Sequence, residues 1–274
     1  MKNRWITYPY IVWMILFIVV PIILVLSYSI TLESEQGLSF TLENYKRFFD
    51  PLYINVLIHS INLALISTTI CLILGYPMAM IIARAPIAYR NMLVLFFVIP
   101  MWMNFLLRTY AWMSLLERSG LINRLLTSIN LPSLNLMYTN GAVILGMVYN
   151  FLPFMVLPIY SVLIKIDKNL IEAAQDLGAN DLKVFLKVTL PLSLPGVFSG
   201  VIMVFMPAIT TFVIPRLLGG GQFTLIGNLI EQQFLSSGDW NFGSAISMFM
   251  LVVILFSSGL MGRYDKDREG MGLW

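Results

Sequence analysis

Six long apolar runs constrain the fold of this chain more than any other feature. A helix needs about 20 residues to cross the roughly 30 Å hydrocarbon core of a membrane, and each run has about that length. Backbone polar groups in lipid are satisfied only in helices or closed barrels, and stretches such as residues 93–99 show no strand-like alternation. The sequence therefore predicts an all-α polytopic membrane protein with six transmembrane helices. The predicted spans are Tyr8–Ile30, Val56–Ala83, Met92–Leu116, Ala142–Ile164, Leu194–Ile214 and Gly243–Leu260.

The composition excludes most other classes of protein. Of the 274 residues, 58% are hydrophobic and 11% are charged, whereas a soluble domain has about 25% charged residues. So few charges cannot cover the surface of a soluble globule of this size, and disordered, collagen-like and coiled-coil chains are excluded as well. The net charge of +3 comes from scattered basic residues, so we expect no nucleic-acid partner.

Sites that depend on cysteine and histidine are excluded by their numbers. The chain has one cysteine, Cys71, and one histidine, His59. One of each cannot form a Cys/His zinc site or the histidine pair of a membrane metalloprotease, so we predict no metal site. The chain also lacks the Ser/His set, the aspartate pair or the metal ligands that an intramembrane hydrolase would need. We therefore expect it to have no catalytic site.

The distribution of lysine and arginine predicts the orientation in the membrane. Basic residues concentrate in short cytoplasmic loops, and eleven of the 17 lie on one side of the predicted spans. We therefore expect both termini in the cytoplasm and the first span to be a retained anchor, since its apolar run exceeds that of a signal peptide. The eleven on the predicted cytoplasmic side are Lys2, Arg4, Arg84, Arg90, Lys165, Lys168, Lys183, Lys187, Arg263, Lys266 and Arg268. The six on the other side are Lys46, Arg47, Arg108, Arg118, Arg124 and Arg216.

The connection between the fourth and fifth spans, residues 165–193, is long enough to contain a helix of its own. Asn169 followed by Glu172 is typical of a capping box at a helix start. Gly178 can supply the left-handed residue that ends the helix. Apolar residues recur along this helix at spacings of three and four, which predicts one apolar stripe. The stripe consists of Leu170, Ile171, Ala174 and Leu177.

A second helix is predicted in the same connection. Asn180 can cap it, and Pro191 with Pro195 is expected to bracket a turn into the fifth span. The connection at residues 84–91, which is expected on the same side, is shorter and is predicted to have no structure of its own.

The residues of the 165–193 connection resemble the EAA loop of type-I (MetI-like) ABC importer permeases. The matching residues are Glu172, Ala173, Ala174, Gly178, Leu190 and Pro191, with Val188 where the loop usually has isoleucine. In that family the loop docks onto a cytoplasmic ATPase and transmits its closure to the spans. The resemblance therefore implies an ATPase-coupling role for these six residues. The alternative is an amphipathic helix that lies at the lipid headgroups.

Further motifs resemble the spermidine/putrescine (PotB-type) branch of these permeases over residues 40–262. They are Asn44-Tyr45, Asp50-Pro51-Leu52-Tyr53, Leu74-Gly75-Tyr76-Pro77, the segment from Trp102 to Trp112, the segment from Phe212 to Gly220, and Asp239-Trp240. The resemblance implies a single permease domain, residues 1–274, with its core at about 56–262 and its coupling loop at about 165–193. Such a non-catalytic chain forms half of a pore in the cytoplasmic membrane of a prokaryote.

The same resemblance implies the partners of the chain. A second, PotC-like permease, two PotA-like ATPases and a PotD-like extracytoplasmic binding protein would complete a polyamine importer. ATP and Mg²⁺ would bind to the ATPases, and no cofactor would bind to this chain. Residues 219–221 are three glycines, but no Lys-Ser/Thr pair follows them as in a phosphate-binding loop. We expect these glycines to turn a re-entrant segment that lines a cavity.

Candidate residues of the substrate path lie near the predicted outer ends of the spans. Asn104, Arg108 and Trp112 are spaced by four and share one helix face, whereas Tyr110 points to another side. Either the shared face lines an outer gate, or Arg108 extends to lipid phosphates. Relatives often have an acidic residue where Arg216 stands, so Arg216 is a departure from the family pattern. The predicted path residues are Asn104, Arg108, Tyr110, Trp112, Phe212, Arg216 and Glu231, and the outward carboxylates are Glu117, Glu231 and Asp239.

Two alternative functions stay open at this point. A permease for another small solute is compatible with Arg216, because a polycation would prefer carboxylates and aromatic faces along its path. An ion-coupled secondary transporter would need ionisable residues within the spans, and no carboxylate lies in the middle of a predicted span.

Overall fold

The computed structural model describes residues 8–34 and 37–269 of the chain. Lys2, Arg4 and both chain ends, on which part of the predicted orientation depends, lie outside these residues. In chain order the elements are α1 (Tyr8–Ser29), β1 (Thr31–Ser34), β2 (Gly37–Phe40), α2 (Glu43–Phe48), α3 (Pro51–Arg84), α4 (Ile87–Trp102), α5 (Phe105–Leu116), α6 (Leu121–Ser128), α7 (Asn140–Leu163), α8 (Lys168–Asp176), α9 (Asp181–Thr210), α10 (Val213–Leu218), α11 (Ile226–Gln232) and α12 (Trp240–Glu269).

The predicted all-α membrane fold is confirmed. Five helices among the described residues are long and apolar enough to cross a membrane: α1, α3, α7, α9 and α12, with mean hydropathy between 1.9 and 2.8. The chain between α3 and α7 supplies a sixth crossing if its bent pair of helices is counted as one span. The only sheet among the described residues is the short antiparallel hairpin β1–β2, in which Thr31 pairs with Phe40.

The third predicted span, Met92–Leu116, is wrong as a single helix. The chain bends by 91° between α4 and the helical segment that follows it. Asn104 causes a new helix to start here, because its extended backbone leaves the first helix and its side-chain Oδ1 accepts from the backbone N–H groups of Leu106 (2.8 Å) and Leu107 (3.4 Å). Pro100, near the end of α4, cannot donate to the preceding turn and also favours an end there.

The predicted boundary of the fifth span is also wrong. No turn separates the second loop helix from this span, because α9 runs without a break from Asp181 to Thr210. Pro191 has no backbone N–H to donate to the preceding turn of the helix. The helix accommodates it because a wider π-helical turn, at Phe185–Thr189, directly precedes it. The helix ends earlier than predicted, and Ile214 lies in the separate helix α10.

The connection predicted to be structureless at residues 84–91 is shorter than expected. Only Ala85 and Pro86 separate α3 from α4. Proline fixes an extended conformation in the residue before it and can precede the first turn of a new helix, so two residues suffice for the reversal.

Close contacts at glycines hold α3, α7 and α9 together as the core. A Cβ built on Gly75 or Gly200 would lie 3.0 Å or 2.8 Å from the side chain of Met155, which is fully buried between them. A Cβ on Gly196 would lie 2.9 Å from the Pro158 carbonyl oxygen. In lipid, helices associate mainly through such close packing of small residues. These glycines therefore hold α3 and α9 against α7 and position α9, which carries the candidate site.

The first and last long helices form a second layer, because α1 packs along α12. Polar contacts reinforce this pair. Asn44 of α2 donates to the carbonyls of Ser29 in α1 (3.4 Å) and Thr31 in β1 (3.2 Å), and Asn241 of α12 donates to the carbonyls of Tyr28 (3.1 Å) and Thr31 (2.5 Å). The predicted spans at the two ends of the chain therefore support each other.

Candidate functional site

Helix α8 begins at a different cap from the predicted one. Asp167 is the capping residue: its Oδ1 accepts from the backbone N–H of Asn169 at 2.9 Å. Asn169 lies inside the first turn and donates to Asp167 Oδ2 at 3.4 Å. The predicted capping box of Asn169 and Glu172 is therefore wrong. A carboxylate is favoured at a helix start because it accepts hydrogen bonds and interacts well with the helix dipole.

The end of α8 agrees with the sequence prediction. Gly178 has φ = +81°, the left-handed region that favours glycine. The Gly178 N–H donates to the Gln175 carbonyl at 2.8 Å and the Ala179 N–H to the Ala174 carbonyl at 3.1 Å, which together form a Schellman motif. Asn180 then caps α9 as predicted, since its Oδ1 accepts from the Lys183 N–H at 3.0 Å.

Apolar side chains around this turn are exposed and form what we name the loop surface. It consists of Leu170, Leu177, Leu182 and Leu186, which are 50%, 89%, 64% and 51% exposed. Ile171 and Ala174 of the predicted stripe instead lie half-buried against the chain, so the stripe is divided between two faces. Glu172 and Ala173 are exposed beside the loop surface. Leucines this exposed on a short loop are suited to be covered by a partner.

Buried contacts attach the loop end of α9 to the core. The hydroxyls of Tyr76 and Ser193 lie 2.7 Å apart, and Ser193 also donates to the Leu190 carbonyl at 2.9 Å. Tyr76 packs edge-to-face on Phe185 at 5.7 Å. Leu190 and Pro191 of the predicted set thus lie in the span itself, just after the π-helical turn. The motif that contains Tyr76 gives no sign of this contact, because Ser193 lies 117 residues further along the chain.

A polar cavity lies at the far end of the fold, which we define as the end of α9 opposite α8. Its volume is 280 Å³, and it lies beside α10 and α11. Gly220 (φ = +60°) and Gly221 (φ = +75°) turn the chain between these helices, so the prediction of a glycine turn that lines a cavity is confirmed. The start of α11 is fixed to α3, because the Ile226 N–H donates to the hydroxyl of Ser60 at 2.8 Å.

Two predicted path residues meet in this cavity. Arg216 and Glu231 both line it and form an ion pair, in which the arginine side chain is 66% exposed and the glutamate 17%. Asn228 lines the same cavity and was not predicted: its amide donates to the Phe212 carbonyl at 2.8 Å, while its Oδ1 is buried without a partner among the described residues. The cavity therefore presents a shielded carboxylate and a free amide acceptor beside a more exposed cation.

The other predicted path residues lie outside this cavity. Arg108 is only 9% exposed, and its guanidinium lies 6.0 Å from the Phe105 ring, while its Nε has no partner among the described residues. Trp112 packs edge-to-face on Tyr149 at 5.3 Å. Asn104 caps α5, and Tyr110 and Phe212 are exposed at 47% and 42%. The predicted path residues of α5 are nevertheless close to the cavity, because α5 packs against α10, the helix that carries Arg216.

Asp239, another of the carboxylates predicted to face outward, forms an ion pair with Arg47. Arg47 approaches it at 2.7 Å and also lies 4.1 Å above the Phe242 ring. Burial acts to lower the pKa of Arg47, but its hydrogen bonds to Asp239 and Tyr53 outweigh this, so the pKa is raised and the cation persists. Asp239 Oδ1 also accepts from the Phe242 N–H at 3.0 Å. Asp239 therefore fixes the start of α12 and does not line the cavity.

Comparison with known proteins identifies the family. Residues 73–269 match the family described as binding-protein-dependent transport system inner membrane component. The chain is 41% identical over 247 residues to the spermidine/putrescine transport system permease protein PotB of Escherichia coli K12, covering 88% of this chain and 90% of the relative. It is 40% identical to the protein of the same name from Haemophilus influenzae, over 88% and 86% of the two chains.

Solved structures show the same fold at lower identity. A bacterial ABC transporter that imports the acidic polysaccharide alginate contains a chain with a TM-score of 0.74 and 20% identity, covering 96% of each chain. A chain of the MetNI methionine ABC transporter has a TM-score of 0.56 and 15% identity, covering 78% of this chain and 94% of the other. This chain therefore belongs to the binding-protein-dependent inner membrane transport components, as a multi-pass permease of the PotB type with the type-I ABC importer permease fold.

Proposed function

We propose that the chain is a permease subunit of an ATP-driven importer for spermidine and putrescine and forms half of its pore. The observation that carries this proposal is the 41% identity to a spermidine/putrescine permease over 88% of the chain. That length includes both the loop surface and the far-end cavity. The chain itself catalyses no reaction and binds no cofactor; ATP and Mg²⁺ bind to the partner ATPases.

We further propose the partners that complete the importer. A PotC-like permease supplies the other half of the pore, a PotD-like binding protein delivers substrate to the far end, and two PotA-like ATPases act in the cytoplasm. The four exposed leucines of the loop surface support an ATPase that docks there, because a protein partner would remove them from water. Glu172, Ala173, Ala174 and Gly178 lie on or beside this surface and are the proposed coupling residues.

Movement of the ATPase can reach the spans through rigid elements. A displacement of α8 acts on the start of α9, which is one continuous helix from the loop to the far end. The hydroxyl contact between Tyr76 and Ser193 carries the same displacement to α3. Because α9 ends beside α10 and the cavity, closure of the ATPases would shift the helices around the cavity at the far end. We propose that substrate enters there.

The ion pair in the cavity suggests how a polyamine is handled. A passing ammonium group can replace Arg216 as the partner of Glu231, and the shielded carboxylate favours the cation more strongly than an exposed one would. Arg216 then returns to Glu231 once the cation has left. The pair would thus close the path electrostatically between transport cycles.

Removal of the Glu231 carboxylate should slow uptake. In Glu231→Gln, Arg216 has no counterion in the cavity and repels a polycation, and we expect spermidine uptake to fall by about tenfold, equivalent to about 1.4 kcal/mol. Arg216→Gln should retain uptake, since it leaves the carboxylate free for the substrate. Asp239→Asn is the matched control, because asparagine can still cap α12 and the residue lies outside the cavity. Equal uptake by Glu231→Gln and the control would contradict this role.

The proposed function is tested by uptake of labelled spermidine into vesicles that contain this chain with its three kinds of partner. We expect uptake that requires internal ATP and the binding protein and is inhibited by putrescine. The exposed cation Arg216 favours the alternative of another, less cationic solute. ATP-dependent activity without spermidine uptake would indicate that alternative, and uptake that follows an ion gradient without ATP would indicate a secondary transporter.

The orientation has its own test. The one cysteine, Cys71, is buried, so single cysteines can be introduced at Gln175 in α8 and at Ser133 in the connection between α6 and α7. A membrane-impermeant maleimide added to intact cells should label Ser133→Cys and leave Gln175→Cys unlabelled until the membrane is opened. The reverse pattern would place α8 outside the cytoplasm and exclude an ATPase at the loop surface.

A further inference from the structure

A second, larger cavity lies at the loop end of the fold. Its volume is 610 Å³, and it lies between the ends of α3 and α7, the starts of α4 and α8, and Thr189 of α9. Three cations line it: Arg84, Arg90 and Lys168. None of the lining residues is acidic. The cavity is therefore cationic, and it is separate from the loop surface and from the far-end cavity.

Buried polar groups in this cavity lack partners. Thr189 lines the cavity and is 5% exposed, yet its hydroxyl has no hydrogen-bond partner among the described residues. Arg90 donates through Nη2 to the carbonyls of Ala83 (2.8 Å) and Ala85 (3.2 Å), but its Nε is buried and unpaired. A buried polar group without a partner costs free energy, so both groups point to a ligand that accepts hydrogen bonds. Cations around them indicate that the ligand is an anion.

The position and the walls of the cavity indicate the kind of anion. Two long apolar helices, α3 and α7, end here at Arg84 and Leu163, which places the cations at the level of the lipid headgroups. Met80, Leu163 and Ile171 supply apolar wall on the same cavity. A free phosphate would leave that wall uncovered, whereas an acyl chain attached to the phosphate would cover it.

We propose that this cavity binds the phosphate headgroup of an anionic phospholipid. The phosphate oxygens accept from Thr189, Arg90 and the two remaining cations, and the start of an acyl chain lies along the apolar wall. Basic pockets between spans are a common way for membrane proteins to hold such headgroups. Since Lys168 begins α8 and Thr189 lies in α9, the lipid would bridge both helices of the coupling loop to α3.

Native mass spectrometry of the purified full-length chain tests the site directly and does not depend on transport. The protein is exchanged into micelles of the non-ionic detergent dodecyl maltoside, which has no phosphate, and titrated with phosphatidylglycerol. We expect one tightly retained phosphatidylglycerol on the natural protein, and a dissociation constant at least about tenfold higher for Arg84→Gln/Lys168→Gln, since each cation near a headgroup contributes measurably. Thr189→Val, which keeps the shape of the side chain, should weaken retention by about threefold.

The controls separate this site from general attraction to negative lipid. Lys183→Gln/Lys187→Gln removes two charges from the same loop at positions that do not line the cavity, and it should retain phosphatidylglycerol like the natural protein. Equal retention by the two double variants would overturn the proposal, as would no effect of Thr189→Val. Displacement of the lipid by inorganic phosphate alone, in molar excess, would assign the site to free phosphate and overturn the lipid assignment.

Discussion

Replacement of Gly196 by leucine should abolish the folded permease. A Cβ at this position would lie 2.9 Å from the Pro158 carbonyl oxygen and 3.0 Å from the Ile159 Cα, and both of these atoms belong to the backbone of α7. A backbone atom cannot rotate away as a side chain can, so α7 and α9 must separate along their contact. Overpacking by a methylene or two costs about 1–3 kcal/mol, and a whole isobutyl group at a backbone contact should cost more.

Such a cost is a large part of the stability of a typical domain, which is about 5–15 kcal/mol. We expect the yield of monodisperse Gly196→Leu protein in detergent to fall by at least about tenfold, and a smaller fall with a lower melting temperature for Gly196→Ala. Gly259→Leu is the matched control, since it lies in another long helix, where a Cβ would meet no other described part of the chain within 4 Å. If Gly196→Leu and Gly259→Leu give equal yield and melting temperature, the close packing of α7 on α9 is not what holds the core.

The sequence predicted the features of this fold that depend on local rules. A run of apolar residues is enough to predict a span, and the first, second, fourth and sixth spans were located to within about five residues. The fifth span was found, but its helix begins well before the predicted start, at Asp181. Gly178 was predicted in the left-handed region because a helix that ends before glycine usually ends in that way, and it has φ = +81°. Asn180 as the cap of α9 follows from the same kind of local rule.

Features that depend on competition between neighbours or on distant contacts were not predictable. Asp167 and Asn169 are both good helix caps, and only the fold decides between them. Within an apolar run, Asn104 is compatible with a position inside one long helix or with the cap of a new helix. In the structure it caps a new helix, α5. Arg216 and Glu231 were each proposed for the path, but their pairing depends on the turn between α10 and α11. Ser193 was missed because its partner Tyr76 belongs to another span.

Gly178→Asp should uncouple ATP hydrolysis from transport while leaving the spans intact. A residue with a Cβ costs on the order of 1–2 kcal/mol in the left-handed region, and less for aspartate than for most. The new Cβ would meet no other atom of the described residues within 4 Å, so we expect the internal cost to come from the backbone conformation. Beneath a docked ATPase, a carboxylate without a partner would cost several kcal/mol more. Docking should therefore weaken by about 100-fold or more, at about 1.4 kcal/mol per decade.

The chain offers a closely matched control for this prediction at Gly238. This residue has φ = +68°, and a Cβ there also meets no other part of the described chain within 4 Å, so Gly238→Asp imposes a similar backbone cost at a site far from the loop surface. We expect both variants to insert in the membrane with similar yield, and only Gly178→Asp to lose co-purifying ATPase and ATP-driven uptake. A parallel loss in both variants would show that backbone strain alone is responsible. Normal co-purification and uptake by Gly178→Asp would exclude Gly178 from the coupling interface.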